Sequence, residues 1–142
     1  MADLDPLIRV RKHAVEQKQK FLAELYRQAE ELARQKQTLL DQLASERSKI
    51  SEMESAEMMS YFGRYADAVK DRVEDIDEAA VKLETRIEIA REDMRAAFAE
   101  LKKIEITQER REAREQAERD KKESAELDDI AIEGYRRQMD ED

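Results

Sequence analysis

The sequence predicts an all-α fold: an antiparallel two-helix coiled-coil hairpin whose second helix overhangs as a single helix. Three observations point there. The first is an apolar repeat of seven residues, spaced alternately by three and four, in two stretches of equal length. The second is a slip of phase between those stretches. The third is a composition of 44% charged and 5% aromatic residues, with two glycines and one proline. So few turn formers argue against a many-stranded sheet, and charge combined with heptad periodicity points to long helices.

The first seam runs Ile8, Arg11, Val15, Lys18, Leu22, Leu25, Ala29, Leu32, Lys36, Leu39, Leu43, Glu46, Ile50, Met53, with ten of fourteen positions apolar. The second runs Met59, Phe62, Ala66, Val69, Val73, Ile76, Ala80, Leu83, Ile87, Ala90, Met94, Ala97, Leu101, Ile104, all apolar. Continuing the first seam would reach position 57, two short of Met59. That offset rotates the stripe by about 200° at ~3.6 residues per turn. Tolerated coiled-coil irregularities insert three or four residues instead. One straight helix would therefore carry its stripes on opposite faces, whereas a turn lets them meet.

Taken in order, the elements are a first arm over 6–53, a turn over 54–58, a second arm over 59–104 and a charged tail over 105–142, forming one domain. Asp5 is a good N-cap, and Pro6 suits the first helical position, where its missing N–H would be unpaired anyway. The first arm then runs about 70 Å at ~1.5 Å per residue. Antiparallel pairing of Ile8 with Ile104 puts every a position opposite a d position. The layers include Val15–Ala97, Leu22–Ala90, Leu25–Ile87, Ala29–Leu83, Leu32–Ala80, Leu39–Val73, Leu43–Val69, Ile50–Phe62 and Met53–Met59. Setting leucine against alanine conserves volume from layer to layer. A register one heptad longer would open a loop over 54–65 containing Gly63 and stack Ala29 on Ala90, a thin layer. The short turn is preferred, although it contains no Gly, Pro or Asn. Lys18 and Lys36 face Met94 and Ile76, where their stems cover apolar surface while the ammonium reaches water. Such polar seam residues also fix register.

Beyond Ile104, residues 107–126 hold 13 charged side chains, and their only apolar ones are three alanines. This predicts a solvated single helix held by i,i+4 ion pairs, each worth ~0.3–0.5 kcal/mol. If helical to the end, residues 105–142 project about 55 Å. The chain turns apolar again at Leu127, Ile130, Ala131, Ile132 and Tyr135, and Gly134 is a candidate helix end.

Composition excludes several functions. The net charge is −9, so phosphate backbones are repelled and nucleic acid is an unsuitable partner, while a basic protein surface suits it better. There is no cysteine, hence no disulfide, thiolate metal site or cysteine nucleophile. Arg9, Arg11 and Lys12 interrupt any signal-peptide core, and no apolar run reaches the ~18 residues of a membrane span. A cytoplasmic location is expected. His13 is the only histidine, Gly63 and Gly134 stand apart, and Asp128 with Asp129 reads as helix-surface charge rather than a catalytic pair. No enzyme, metal or cofactor is expected.

Two patches stand out as binding surfaces. One is the hairpin tip, Met53, Met58, Met59, Tyr61, Phe62 and Tyr65, since Met and aromatics are adaptable anchors. The same residues could simply cap the coiled coil. Tyr61 and Tyr65, off the seam, are its expected exposed members. The other patch is the tail, where Leu127, Ile130 and Ala131 share a side that the hairpin does not cover. Partner binding is favoured there over self-association or a fold-back onto Leu4, Leu7 and Val10.

The run Lys121-Lys122-Glu123-Ser124-Ala125-Glu126-Leu127-Asp128-Asp129-Ile130-Ala131 resembles the charged run and the Leu/Met-Asp-acidic-apolar-Ala close of the FliJ family. The opening Leu4-Asp5-Pro6-Leu7-Ile8-Arg9-Val10-Arg11 with Glu16 is similar to that family's start. Phe62 and Tyr65 before Val69 fall where it carries aromatics. The resemblance covers most of the chain and is specific chiefly in the tail. It implies a small cytoplasmic component of the flagellar type III export apparatus, peripheral to the inner membrane and shaped like the central stalk of a rotary ATPase. Such a hairpin, a monomer, engages the hexameric export ATPase, the cytoplasmic domain of the membrane export gate, and export chaperones. The resemblance implies that Leu127, Asp128, Asp129 and Ile130 belong to the family motif, and it makes Phe62 and Tyr65 candidates for contact with the gate. Tyr61 and Tyr135 complete the expected partner-binding set. Ser124-Ala125 departs from the family, where charge is usual. An equivalent stalk in a virulence-type secretion system and a self-assembling structural coiled coil are the alternatives.

Overall fold

A computed structural model describes residues 3–53 and 55–141. Two helices account for nearly all of them: α1, Asp5–Met53, and α2, Ala56–Glu141. They pack against each other as an all-α helical hairpin, with no strand among the described residues. Contacts divide the chain into two compact units, His13–Phe98 and Met1–Lys12 with Ala99–Asp142.

Within His13–Phe98 the two helices run antiparallel. Leu22, Leu25, Leu83, Ile87 and Ala90 form the core cluster, and Ala29, Leu32 and Met94 pack against it. Leu25 is fully enclosed at 0% exposure. The cluster and the residues packed on it hold both members of the expected layers Leu22–Ala90, Leu25–Ile87 and Ala29–Leu83. Every buried apolar residue in this unit (Val15, Leu22, Leu25, Leu39, Ile50, Val69, Leu83, Ile87, Ala90) is a predicted seam position. Such a stripe has to leave water, because each fully buried Leu or Ile is worth roughly 1.5–3 kcal/mol. Lys36 tests the register. Its Nζ donates to Asp77 Oδ1 at 2.8 Å, next to the expected Ile76. Arg91 Nε donates to the Tyr26 hydroxyl at 2.7 Å and its guanidinium lies 5.6 Å from the ring centroid. Lys18, the other seam lysine, is exposed.

The hairpin reverses over less chain than expected. Residues 56–58, assigned to the turn, are the first turn of α2. Ser55 is the reason. Its carbonyl accepts the Met59 N–H at 3.0 Å and its hydroxyl accepts the Met58 N–H at 3.5 Å. This is an N-cap, in which a serine satisfies donors that the helix leaves orphaned. Glu54, the other expected turn residue beside it, lies outside the described residues.

In the other unit, Leu101 is buried and Ile8 and Ile104 are half-buried. The start of α1 is capped two residues earlier than expected. Asp3, not Asp5, supplies the carboxylate, and its Oδ1 accepts the Asp5 N–H at 3.0 Å. Leu4 carbonyl takes the first helical bond, from Ile8 N–H, at 2.9 Å. Pro6 still falls within the first turn, where no N–H is needed. Along α2 partial cover persists at Gln108, Arg111 and Glu115, and residues 116–141 are all exposed. The side-chain bonds in this stretch run from Gln108 to Glu112, from Gln116 to Asp120 and from Arg119 to Gln116. Among the described residues 107–126, these amide contacts stand where i,i+4 ion pairs were expected. The helix does not end at Gly134 but continues to Glu141. Gly134 has open space around its Cα and takes no left-handed conformation, so nothing stops propagation there. A glycine inside a helix costs about 1 kcal/mol relative to alanine.

Candidate partner-binding surfaces

At the tip, the Ser55 cap starts α2 at Ala56, so Met58 is carried on helix rather than turn, together with Met59 and Tyr61. Met59 was expected to pair with Met53 in a last seam layer. Both are exposed instead, Met59 at 60% and Met53 at 59%. The layer lies past Ile50, the last buried residue of α1, and among the described residues none beyond it closes the end of the seam. The aromatics divide differently from expectation. Tyr61 is open at 56%. Tyr65, expected to be exposed beside it, is half-buried, as is Phe62. Their ring centroids stand 6.5 Å apart at 46°, a tilted arrangement that aromatic quadrupoles favour. The Arg47 guanidinium lies 5.8 Å from the Phe62 centroid. Phe62 and Tyr65 are thus partly used in holding the end of the hairpin, while Met53, Met58, Met59 and Tyr61 offer adaptable apolar surface.

On the tail, Leu127 and Ile130 are each 66% exposed and Tyr135 is 63% exposed. Asp128, Asp129 and Ala131 are exposed with them. One turn separates Leu127 from Ala131, and another separates Ala131 from Tyr135, so the three share a face; Ile130 flanks it. Among the described residues the tail does not fold back onto Leu4, Leu7 and Val10: 116–141 are all exposed, as are Leu7 and Val10, and Leu4 is half-buried. The structure therefore holds two patches, one in each unit.

The pattern reading passed over other exposed apolar residues, Phe21, Val81, Ile89 and Phe98. They lie beside or opposite the seam, and only a helix-by-helix mapping of off-seam positions would have flagged them. His13 is exposed. Among the described residues no group of His, Asp and Glu stands close enough to hold a metal ion, and no helix is long and apolar enough to cross a membrane.

The described residues define an all-α helical hairpin that carries exposed apolar patches. The family model described as Flagellar FliJ protein matches residues 1–140. The chain belongs to the FliJ family, whose members are related to flagellar protein export. A search of curated proteins and a search of solved structures each find no match.

Proposed function

We propose that this chain is a non-enzymatic stalk of the flagellar type III protein export apparatus. It binds the export ATPase ring and the cytoplasmic domain of the export gate, and it assists export chaperones. The observation that carries this reading is the uncovered end of α2. Twenty-six consecutive helical residues, 116–141, are exposed. Among them Leu127, Ile130 and Tyr135 hold apolar surface that nothing in their own unit covers. An apolar stripe of this kind on a charged helix marks an interaction site. Membership of a flagellar family supports the choice of partners. The tail then serves the ATPase ring, through Leu127, Asp128, Asp129, Ile130 and Tyr135, and the tip serves the gate, through Tyr61 with Phe62 and Tyr65. The stalk acts in the cytoplasm at the inner-membrane face of the apparatus.

The structural coiled-coil alternative is disfavoured by the packing within His13–Phe98, where both seams are consumed inside one chain. The virulence-system alternative shares every physical feature and differs only in which ATPase is bound.

Two full-length variants test the division of labour. Tyr61→Asp should weaken binding to the gate domain and spare the ATPase. Leu127→Asp with Ile130→Asp should do the reverse. Loss of both interactions in either variant, with helicity intact, would contradict separate surfaces.

A further inference from the structure

The methionines of this chain are unevenly placed. Three of the six stand at the hairpin tip: Met53 closes α1, and Met58 and Met59 lie in the first turn of α2. Their exposures are 59%, 37% and 60%. Met94 is placed differently, half-buried and packed against the core cluster. Met139, on the tail, is exposed but has no second methionine near it in sequence. A thioether is oxidised where an oxidant reaches its sulfur, and the sulfoxide replaces a flexible apolar side chain with a polar one. At the tip that change falls on three neighbouring members of one apolar patch. The fold does not depend on them. Met53 and Met59 lie past Ile50, the last buried residue of α1, so an added oxygen stays hydrated and no polar atom is buried without a partner. The cap of α2 joins the Ser55 carbonyl and hydroxyl to the Met59 and Met58 N–H groups, none of which oxidation of a side chain alters.

We propose that Met53, Met58 and Met59 form an oxidation-sensitive site at the hairpin tip, which peroxide converts from an apolar to a polar surface while the hairpin stays folded. Hydrogen peroxide is the oxidant. Its O–O bond breaks, and one oxygen bonds to the methionine sulfur, which gives up two electrons. The other oxygen leaves as water with both hydrogens. Each thioether becomes a sulfoxide, and methionine sulfoxide reductases reverse the step. A tip in this state lacks the adaptable apolar anchors that a partner would grip. That consequence for the export gate rests on the proposed role of the tip; the oxidation itself does not.

Two full-length chains test it, both carrying Met139→Leu to remove the tail thioether. The first keeps the tip methionines. The second carries Met53→Leu, Met58→Leu and Met59→Leu, which preserve apolar bulk. After timed exposure to hydrogen peroxide, peptide mass spectrometry of the first chain should show the three tip sulfoxides forming several-fold faster than that of Met94. Circular dichroism should be unchanged at that stage. Retention on a hydrophobic-interaction column should fall for the oxidised first chain, hold for the second, and return after treatment with the reductases. Met94 oxidising as fast as the tip, helicity lost with tip oxidation, or an equal fall in retention for both chains would each overturn the proposal. Binding to the cytoplasmic domain of the export gate reads the consequence. The untreated first chain should bind, its oxidised form should bind about tenfold more weakly, and the second chain should bind alike in both states. Undiminished binding by the oxidised first chain would overturn the loss of anchors. No binding by the untreated chain would contradict the gate role of the tip, and mass and retention would still decide the oxidation site.

Discussion

Lys36 Nζ donates to Asp77 Oδ1 at 2.8 Å across the two helices. A lysine on an apolar seam thus ends in an ion pair with the residue beside the one it faces. The contact is compatible with only one of the two registers that the apolar pattern allows. A register one heptad longer would have placed Lys36 beside Leu83, which instead lies in the core cluster with Leu25 and Ile87. The lysine contributes more to choosing the alignment than to stability.

That distinction can be measured. Both side chains of the pair are about half exposed, and such pairs are worth ~0–1 kcal/mol. A double-mutant cycle over Lys36→Ala and Asp77→Ala should give a coupling below about 1 kcal/mol by urea unfolding. Lys36→Leu should raise stability while weakening the preference for one register.

Leu25→Ala should be among the costliest single changes. Leu25 is enclosed by both helices, and truncating a buried leucine costs about 2–5 kcal/mol. Leu127→Ala removes the same atoms from an exposed site and should stay within about 0.5 kcal/mol. Urea unfolding of the two variants provides the comparison.

Ser55→Ala removes the cap that starts α2. The expected loss is about 1 kcal/mol, with Ser55→Gly costing only a few tenths. The cap's carbonyl bond to Met59 survives either change, so the hairpin should still form, as circular dichroism would show.

Gly63→Ala should stabilise. Gly63 lies within α2 with open space around it and no left-handed backbone, so the substitution gains about 0.5–1 kcal/mol. A loop over 54–65 would have predicted no such gain. The midpoint of urea unfolding reads the difference directly.

Amide hydrogen exchange should divide α2. Residues packed on α1, such as Leu83 and Ile87, should exchange slowly, through global opening. Residues past Glu115 lack apolar cover, and a helix without it is marginal. Protection should fall steeply beyond that point.

The seam was legible from sequence because burial in a two-helix bundle is decided by a period of three and four residues, which twenty-eight positions repeat. All nine buried residues of the His13–Phe98 unit obey it. The departures lie at ends, where periodicity says nothing. Met59 keeps the phase of the seam but sits past the last closed layer. Tyr65 is off the seam yet covered, because Phe62 gives it a ring to lean on. Asp5 lost the cap to Asp3, two residues away and chemically equivalent. Gly134 resembles a terminator, but a glycine ends a helix only where the chain turns, and here it does not. The tail patch was legible as an apolar interruption in charged sequence. The mixed state of the tip was not, since its residues serve the seam and the surface at once.

We propose that the uncovered end of α2 engages the export ATPase. The most direct measurement is ATP turnover by the cognate flagellar export ATPase, titrated with the full chain and with the full-length Leu127→Asp, Ile130→Asp variant. The account predicts that the unaltered chain raises turnover and that the variant, equally helical, does not. Equal stimulation by both would remove the tail from the contact, and no stimulation by either would contradict the stalk role.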